Sequence, residues 1–289
     1  MNKLIFSAVS VLLLLSAPAH CKTGTLFMIG GGPRPDYLMQ KFISLSGGPQ
    51  ARIIILPMAS EVPLERALDF KAQMEKIGAK NVDYIICSSK TADSPENLQM
   101  IKEAGAIFIT GGDQNLFMEV VSGTKLLDGV RKLYLEGGTI GGTSAGAAVM
   151  SKVMITGNDL TISSAAEQGS DFTWIKPGMV ETAEGLGFIS TAIVDQHFLK
   201  KKRFARLISL VLTHPLLYGI GVDESTAAII GPEGIVEVFG ESSVVILDAR
   251  TVKAGSSRGG VFSAAALKMH ILADGDTFIP ATGETGKIP

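Results

Sequence analysis

From Thr25 onward the chain alternates short β-branched and aliphatic runs with longer amphipathic stretches, the pattern of strands joined by helices in a parallel sheet. Predicted strands are Thr25–Ile29, Arg52–Leu56, Val82–Ile86, Ala106–Thr110, Thr139–Gly142, Ala192–Asp195 and Tyr218–Val222. One helix is expected from Pro63, which suits a first helical turn, to Gly78, with Leu64, Ala67, Leu68 and Met74 at helical spacing. A second is expected over Ser94–Ala104. After Val222 the runs shorten, to Ala227–Ile230, Ile235–Phe239 and Val244–Leu247, broken by Gly231-Pro232-Glu233-Gly234 and Gly240-Glu241. These read as antiparallel hairpins added at one edge. The expectation is a single α/β domain over residues 24–274, with a mostly parallel sheet flanked by helices. The Gly, Thr and Pro content of residues 275–289 predicts a loose tail.

The first residues carry a different pattern. Lys3, the apolar stretch Leu4–Leu15 and the small-x-small sequence Ala17-Pro18-Ala19 read as a secretory signal over residues 1–19, predicting a secreted or periplasmic protein. That stretch is short of the about 20 residues a membrane span needs, so no membrane association is expected once it is removed. With only Cys21 and Cys87 the chain is neither a disulfide scaffold nor a thiolate metal site, though an oxidising compartment would permit the two to pair. A net charge of −2 gives no reason to expect nucleic acid.

The candidate chemistry centres on Gly142, Ser144 and Gly146, which match G-x-S-x-G between a predicted strand and an Ala/Val/Met run. Glycines flanking a nucleophile remove the β-carbons that would clash in a sharp strand-to-helix turn. A serine nucleophile needs a base. His197 follows a predicted strand directly, where parallel α/β sheets place functional groups. His214, before Pro215, suits a helix C-cap, and His270 lies on a late amphipathic stretch. The acid that orients the base is Glu224, just past another strand, with its neighbour Asp223 as the alternative. At Gly111-Gly112-Asp113-Gln114 the glycines permit backbone N–H groups to approach a substrate oxygen, so Gly112 and Ala145 are the expected oxyanion donors and Gln114 a substrate contact.

Taken together, G-G-D-Q at 111–114, G-G-T-S-A-G-A-A-V-M at 141–150, D-Q-H-F at 195–198 and G-V-D-E-S-T-A at 221–227 resemble the S51 serine peptidases, nearer to the cyanophycinase type than to peptidase E, the aspartyl dipeptidase. The resemblance implies a class I glutamine-amidotransferase-like (flavodoxin-like) fold and a Ser144–His197–Glu224 triad. It also implies cleavage at β-linked aspartyl residues of a peptide or cyanophycin-like polymer without metal or organic cofactor. Asp195 and Gln196, in D-Q-H-F, join the expected substrate-binding residues. Arg203 and Arg206 occupy two of the three arginine positions that follow D-Q-H-F in cyanophycinases; Lys201 stands at the third and lacks the bidentate fork. A basic pair beside His197 would hold an aspartyl carboxylate.

Two rival readings remain. An exported α/β-hydrolase esterase would use Ser144, Asp248 and His270 in that chain order. A secreted, non-catalytic binding protein of the same fold would not need Ser144 at all; for the peptidase reading a homodimer is among the expected assemblies. Gly30-Gly31-Gly32 is not a dinucleotide loop, because Pro35 stands where G-x-G-x-x-G requires glycine.

Overall fold

A computed structural model describes residues 23–160, 174–256 and 259–287. The expected signal over residues 1–19, and Cys21 with its expected pairing to Cys87, lie outside the described residues. At the centre five parallel strands run in the order β1 (Thr25–Ile29), β5 (Thr139–Thr143), β4 (Ala106–Ile109), β2 (Arg52–Leu56), β3 (Asn81–Tyr84). Their apolar runs are continuous because both faces are covered. Along β1, Leu26 and Met28 face one core while Phe27 and Ile29 face the other. The second core is closed by α1 (Asp36–Leu45) and α2 (Pro63–Lys76), through Leu38, Phe42, Phe70 and Met74. The first is closed by α3 (Pro95–Glu103), α4 (Gln114–Val121) and α5 (Lys125–Leu135), through Ile101, Phe117, Val121 and Leu126. In α2 the buried stripe is Ala67, Phe70 and Met74, whereas Leu64 and Leu68, expected inside, are about half exposed. Phe70 packs its ring against that of Phe108 of β4, tilted by 41° with centroids 5.0 Å apart.

The remaining strands divide between two places. β10 (Thr226–Ile230) and β11 (Val236–Gly240) extend the central sheet antiparallel beside β1. A separate four-stranded sheet contains β8 (Ala192–Asp195), β9 (Tyr218–Val222), β12 (Val244–Asp248) and β15 (Lys268–Leu272), with α7 (Phe204–Thr213) packed on it. The late strands therefore do not all add to one edge, and β8 and β9 do not extend the central sheet. The tail is not loose either: β16 (Asp276–Ile279) and β17 (Glu284–Lys287) form a hairpin beside β11. Phe278, almost fully buried and edge-on to Tyr218, anchors it. β17 itself is wholly exposed, so ladder hydrogen bonds rather than burial hold it, and no hydrophobic pattern marks it.

Candidate active site

Three backbone carbonyls in a row organise the site. β1 ends at Ile29 and runs into Gly30-Gly31-Gly32. The Ile29 carbonyl accepts the N–H of Ser144 (3.0 Å), the Gly30 carbonyl that of His197 (2.7 Å), and the Gly31 carbonyl that of Ser225 (3.0 Å), next to Glu224. Consecutive carbonyls of one segment thus index residues from β5, β8 and the β9–β10 turn. Glycine is required here: a Cβ on Gly31, whose φ is +109°, would lie 2.3 Å from the His197 ring. The glycine run has its explanation in this close approach.

Each residue so held is strained. Ser144, His197 and Ser225 have φ values of 53°, 48° and 53°, a region that costs a non-glycine residue about 1–3 kcal/mol. At Ser144 the strained turn lifts the hydroxyl off the end of β5 into the short helix α6 (Ala145–Ala148). Gly146 permits it, since a Cβ there would lie 2.2 Å from the Ile109 carbonyl oxygen.

The side chains then form one hydrogen-bonded chain. Ser144 Oγ is 2.9 Å from His197 Nε2, and His197 Nδ1 is 2.6 Å from Glu224 Oε1. Burial holds the His197 pKa below its ordinary value of 6.5; the Glu224 hydrogen bond opposes that, and the charges of Lys201 and Arg203 reinforce it. Nε2 is thus kept unprotonated near neutral pH and faces the hydroxyl as an acceptor. Asp223, the alternative acid, is committed elsewhere. Its Oδ1 accepts the N–H groups of Leu199 and Lys200, and its Oδ2 accepts from Ser242 Oγ at 2.7 Å.

In front of Ser144 lies a cleft of about 610 Å³, lined by His197, Gly31, Gly111, Gly112 and residues of the β2–α2 and β4–α4 connections. Gly112 is thus beside the serine. Ala145 opens α6, where an N–H has no partner within its own helix.

The residues expected to hold substrate are placed differently. Asp195, buried at the end of β8, is clasped by the Arg206 guanidinium through two hydrogen bonds, one of 2.7 Å. Arg206 is itself buried. A carboxylate at that depth requires a cation, so this pair is internal and does not face the cleft. Arg203, its pKa pushed down to about 10 by burial and the nearby Arg206, donates to the Gln196 carbonyl (2.6 Å) and to Gln196 Oε1 (2.8 Å). Gln196 alone of this group reaches the serine, its Oε1 lying 3.5 Å from Ser144 Oγ. The Gln114 side chain is buried and donates to the Ile155 and Thr156 carbonyls on β6 (Val153–Asp159). What sequence reasoning passed over is Arg34 and Arg66, which line the cleft. The only signal was a cation in the first turn of α2, where the helix dipole gives it no stability.

The esterase arrangement is not assembled. Asp248 is held by Arg250 at 3.0 Å, and His270 lies on β15 with its ring 5.2 Å from that of Phe278. His214 caps the C-terminus of α7. Among the described residues, no cluster of His, Cys, Asp and Glu could hold a metal ion, and no helix is long and apolar enough to cross a membrane.

A serine hydroxyl bonded to an imidazole that is bonded to a carboxylate, all at strand ends of an α/β fold, is the arrangement of a serine hydrolase. The model for peptidase family S51 matches residues 26–238, and the chain belongs to that family as a serine-type peptidase. It is 34% identical to the cyanophycinase of Synechococcus elongatus over 88% of its own length and 79% of that protein. The cyanophycinase of Geminocystis herdmanii is also 34% identical, over 88% of this chain and 93% of that one. The crystal structure of a peptidase from an acI-B1 actinobacterium has the same fold, with a TM-score of 0.63 at 21% identity, covering 92% of this chain and 97% of that one.

Proposed function

We propose that this peptidase hydrolyses aspartyl-containing peptide bonds, with a cyanophycin-like polymer as its substrate and β-aspartyl-arginine dipeptides as products, through a Ser144–His197–Glu224 triad. The unbroken hydrogen-bonded chain from the Ser144 hydroxyl through His197 to Glu224 carries the reading. His197 Nε2 takes the hydroxyl proton as Oγ attacks the backbone carbonyl of an aspartyl unit. The oxyanion is met by the N–H groups of Gly112 and Ala145, and His197 returns the proton to the leaving amine. Water, deprotonated by the same nitrogen, then releases the acid. Glu224 keeps the proton on Nδ1 and stabilises the imidazolium in both halves.

Incubating the protein with insoluble cyanophycin, and separately with aspartyl dipeptides, tests the substrate, with products read by mass. Dipeptides released from the polymer support the proposal, while cleavage of the small peptides alone transfers the reading to an aspartyl dipeptidase of peptidase E type. Lys201, where cyanophycinases carry arginine, is the observation that keeps this second reading in play. Export is part of the proposal and rests on residues 1–19. A mature N-terminus after Ala19 in the periplasmic or external fraction supports it, and an intact N-terminus in the cytoplasm removes it.

A further inference from the structure

Two arginines that line the cleft before Ser144, Arg34 and Arg66, are not ion-paired among the described residues. Arg34 lies between Pro33 and Pro35, and the backbone on either side of it is pinned. The Pro33 carbonyl accepts from Ser225 Oγ (3.0 Å) and the Arg34 carbonyl from Gln73 Nε2 of α2 (2.7 Å). Its guanidinium carbon sits over the buried Phe70 ring, 3.9 Å from the centroid. Arg66, one turn into α2, shares the cleft. Among the described residues neither guanidinium forms an ion pair, and two polar atoms of cleft-lining residues, Arg34 Nε and Thr143 Oγ1, are buried without a hydrogen-bond partner. Burial, and next to it the charge of Arg66, lowers the Arg34 pKa, with Asp69 opposing. Two cations that repel each other across a cleft, one with an orphaned N–H, are what an anion would relieve.

We propose that Arg34 and Arg66 form a subsite for the free α-carboxylate of a substrate arginine, beside the bond that Ser144 attacks. The proposal rests on this cleft being the one that receives substrate. Glu61 and Asp113 add carboxylates to the same walls, although Asp113 already accepts the N–H of Asn115 at 2.7 Å. The cleft therefore suits an occupant with both signs of charge over a bare dianion, and an aspartate-linked arginine offers a carboxylate and a guanidinium together. The pinned backbone and the stacked ring fix Arg34 before binding, which lowers the ordering cost of a charge-assisted contact.

Calorimetric titration of the Ser144→Ala protein with β-aspartyl-arginine, and with the same peptide carrying an arginine α-carboxamide, isolates the charge without turnover. The free acid is expected to bind about tenfold or more tightly than the amide, the size of one hydrogen-bonded charge contact. Arg34→Met, which keeps bulk on Phe70, and Arg66→Gln should each bring the two peptides within about threefold of one another. Equal binding of acid and amide to the parent, an undiminished preference in both variants, or no measurable binding of either peptide overturns the subsite. Should Arg34→Met fail to fold, Arg66→Gln decides the matter alone. If the peptide binds as expected while the wild-type protein cleaves nothing, the hydrolytic reading falls and the subsite stands. Turnover of the polymer without any carboxylate preference does the reverse.

Discussion

Two pairs of arginines flank the hydrogen-bonded chain from Ser144 through His197 to Glu224, and they do opposite work. Behind it, Arg206 is buried against Asp195 while Arg203 spans the Gln196 carbonyl and side chain. In front of it, Arg34 and Arg66 line the cleft with no ion-pair partner among the described residues. The pair next to His197 in sequence is consumed by the protein. The pair far away in sequence is left for a ligand. Adjacency to a catalytic residue thus says little about availability, which depends on whether a buried carboxylate already claims the cation.

The sharpest separation of the two regions comes from removing the chemistry they flank. Ser144→Ala is expected to lower turnover by a factor on the order of 10⁶, as loss of the nucleophile does elsewhere. The denaturation midpoint should be nearly unchanged, because alanine keeps the Cβ and the same strained backbone and disturbs neither arginine pair. Residual activity near wild type would dissociate the hydrogen-bonded chain from catalysis. Next in size, Arg206→Leu removes the two hydrogen bonds that clasp the buried Asp195 carboxylate and leaves it, as its ion pair, only the longer one with Arg203 at 3.7 Å, with an expected loss of about 3 kcal/mol in unfolding free energy. Arg66→Leu, by contrast, removes a cation without a partner and should cost less than about 0.5 kcal/mol. Equal losses in urea titrations of the two variants would erase the contrast between the pairs.

A subtler test reads the rear charges through His197. Its competent form is neutral, so kcat/KM should fall as pH drops through a value below 6.5. Lys201→Met removes a charge that disfavours the imidazolium, which raises the His197 pKa and moves this acid limb up. Glu224→Gln removes the opposing hydrogen bond and moves the limb down while kcat falls. A pH–rate profile that does not move in Lys201→Met would show that the Lys201 charge does not act on His197.

Much of this was written in the chain. The hydrogen-bonded Ser144, His197 and Glu224 are legible because each follows closely on an apolar run, and strand ends in an α/β fold converge. The fate of the arginines is not legible, because Asp195 in D-Q-H-F looks the same whether it points at substrate or into the core. The division into two sheets escaped notice for a related reason. Val194 and Ile220 are as apolar as Ile107 and Ile140, and hydrophobic pattern reports burial without naming the neighbour. Gly30-Gly31-Gly32 was visible as a motif, but its use as a row of acceptors depends on three segments that only the folded chain brings to it.

That row has a consequence for biosynthesis. β1 opens the described fold, yet it is filled in on one side by β5 and on the other by β10, whose residues are made some two hundred positions later. A ribosome-bound chain that has already emitted its serine still lacks the glutamate and the flanking strand that seat it. On the proposed triad, proteolytic competence therefore arrives only when most of the polypeptide is complete.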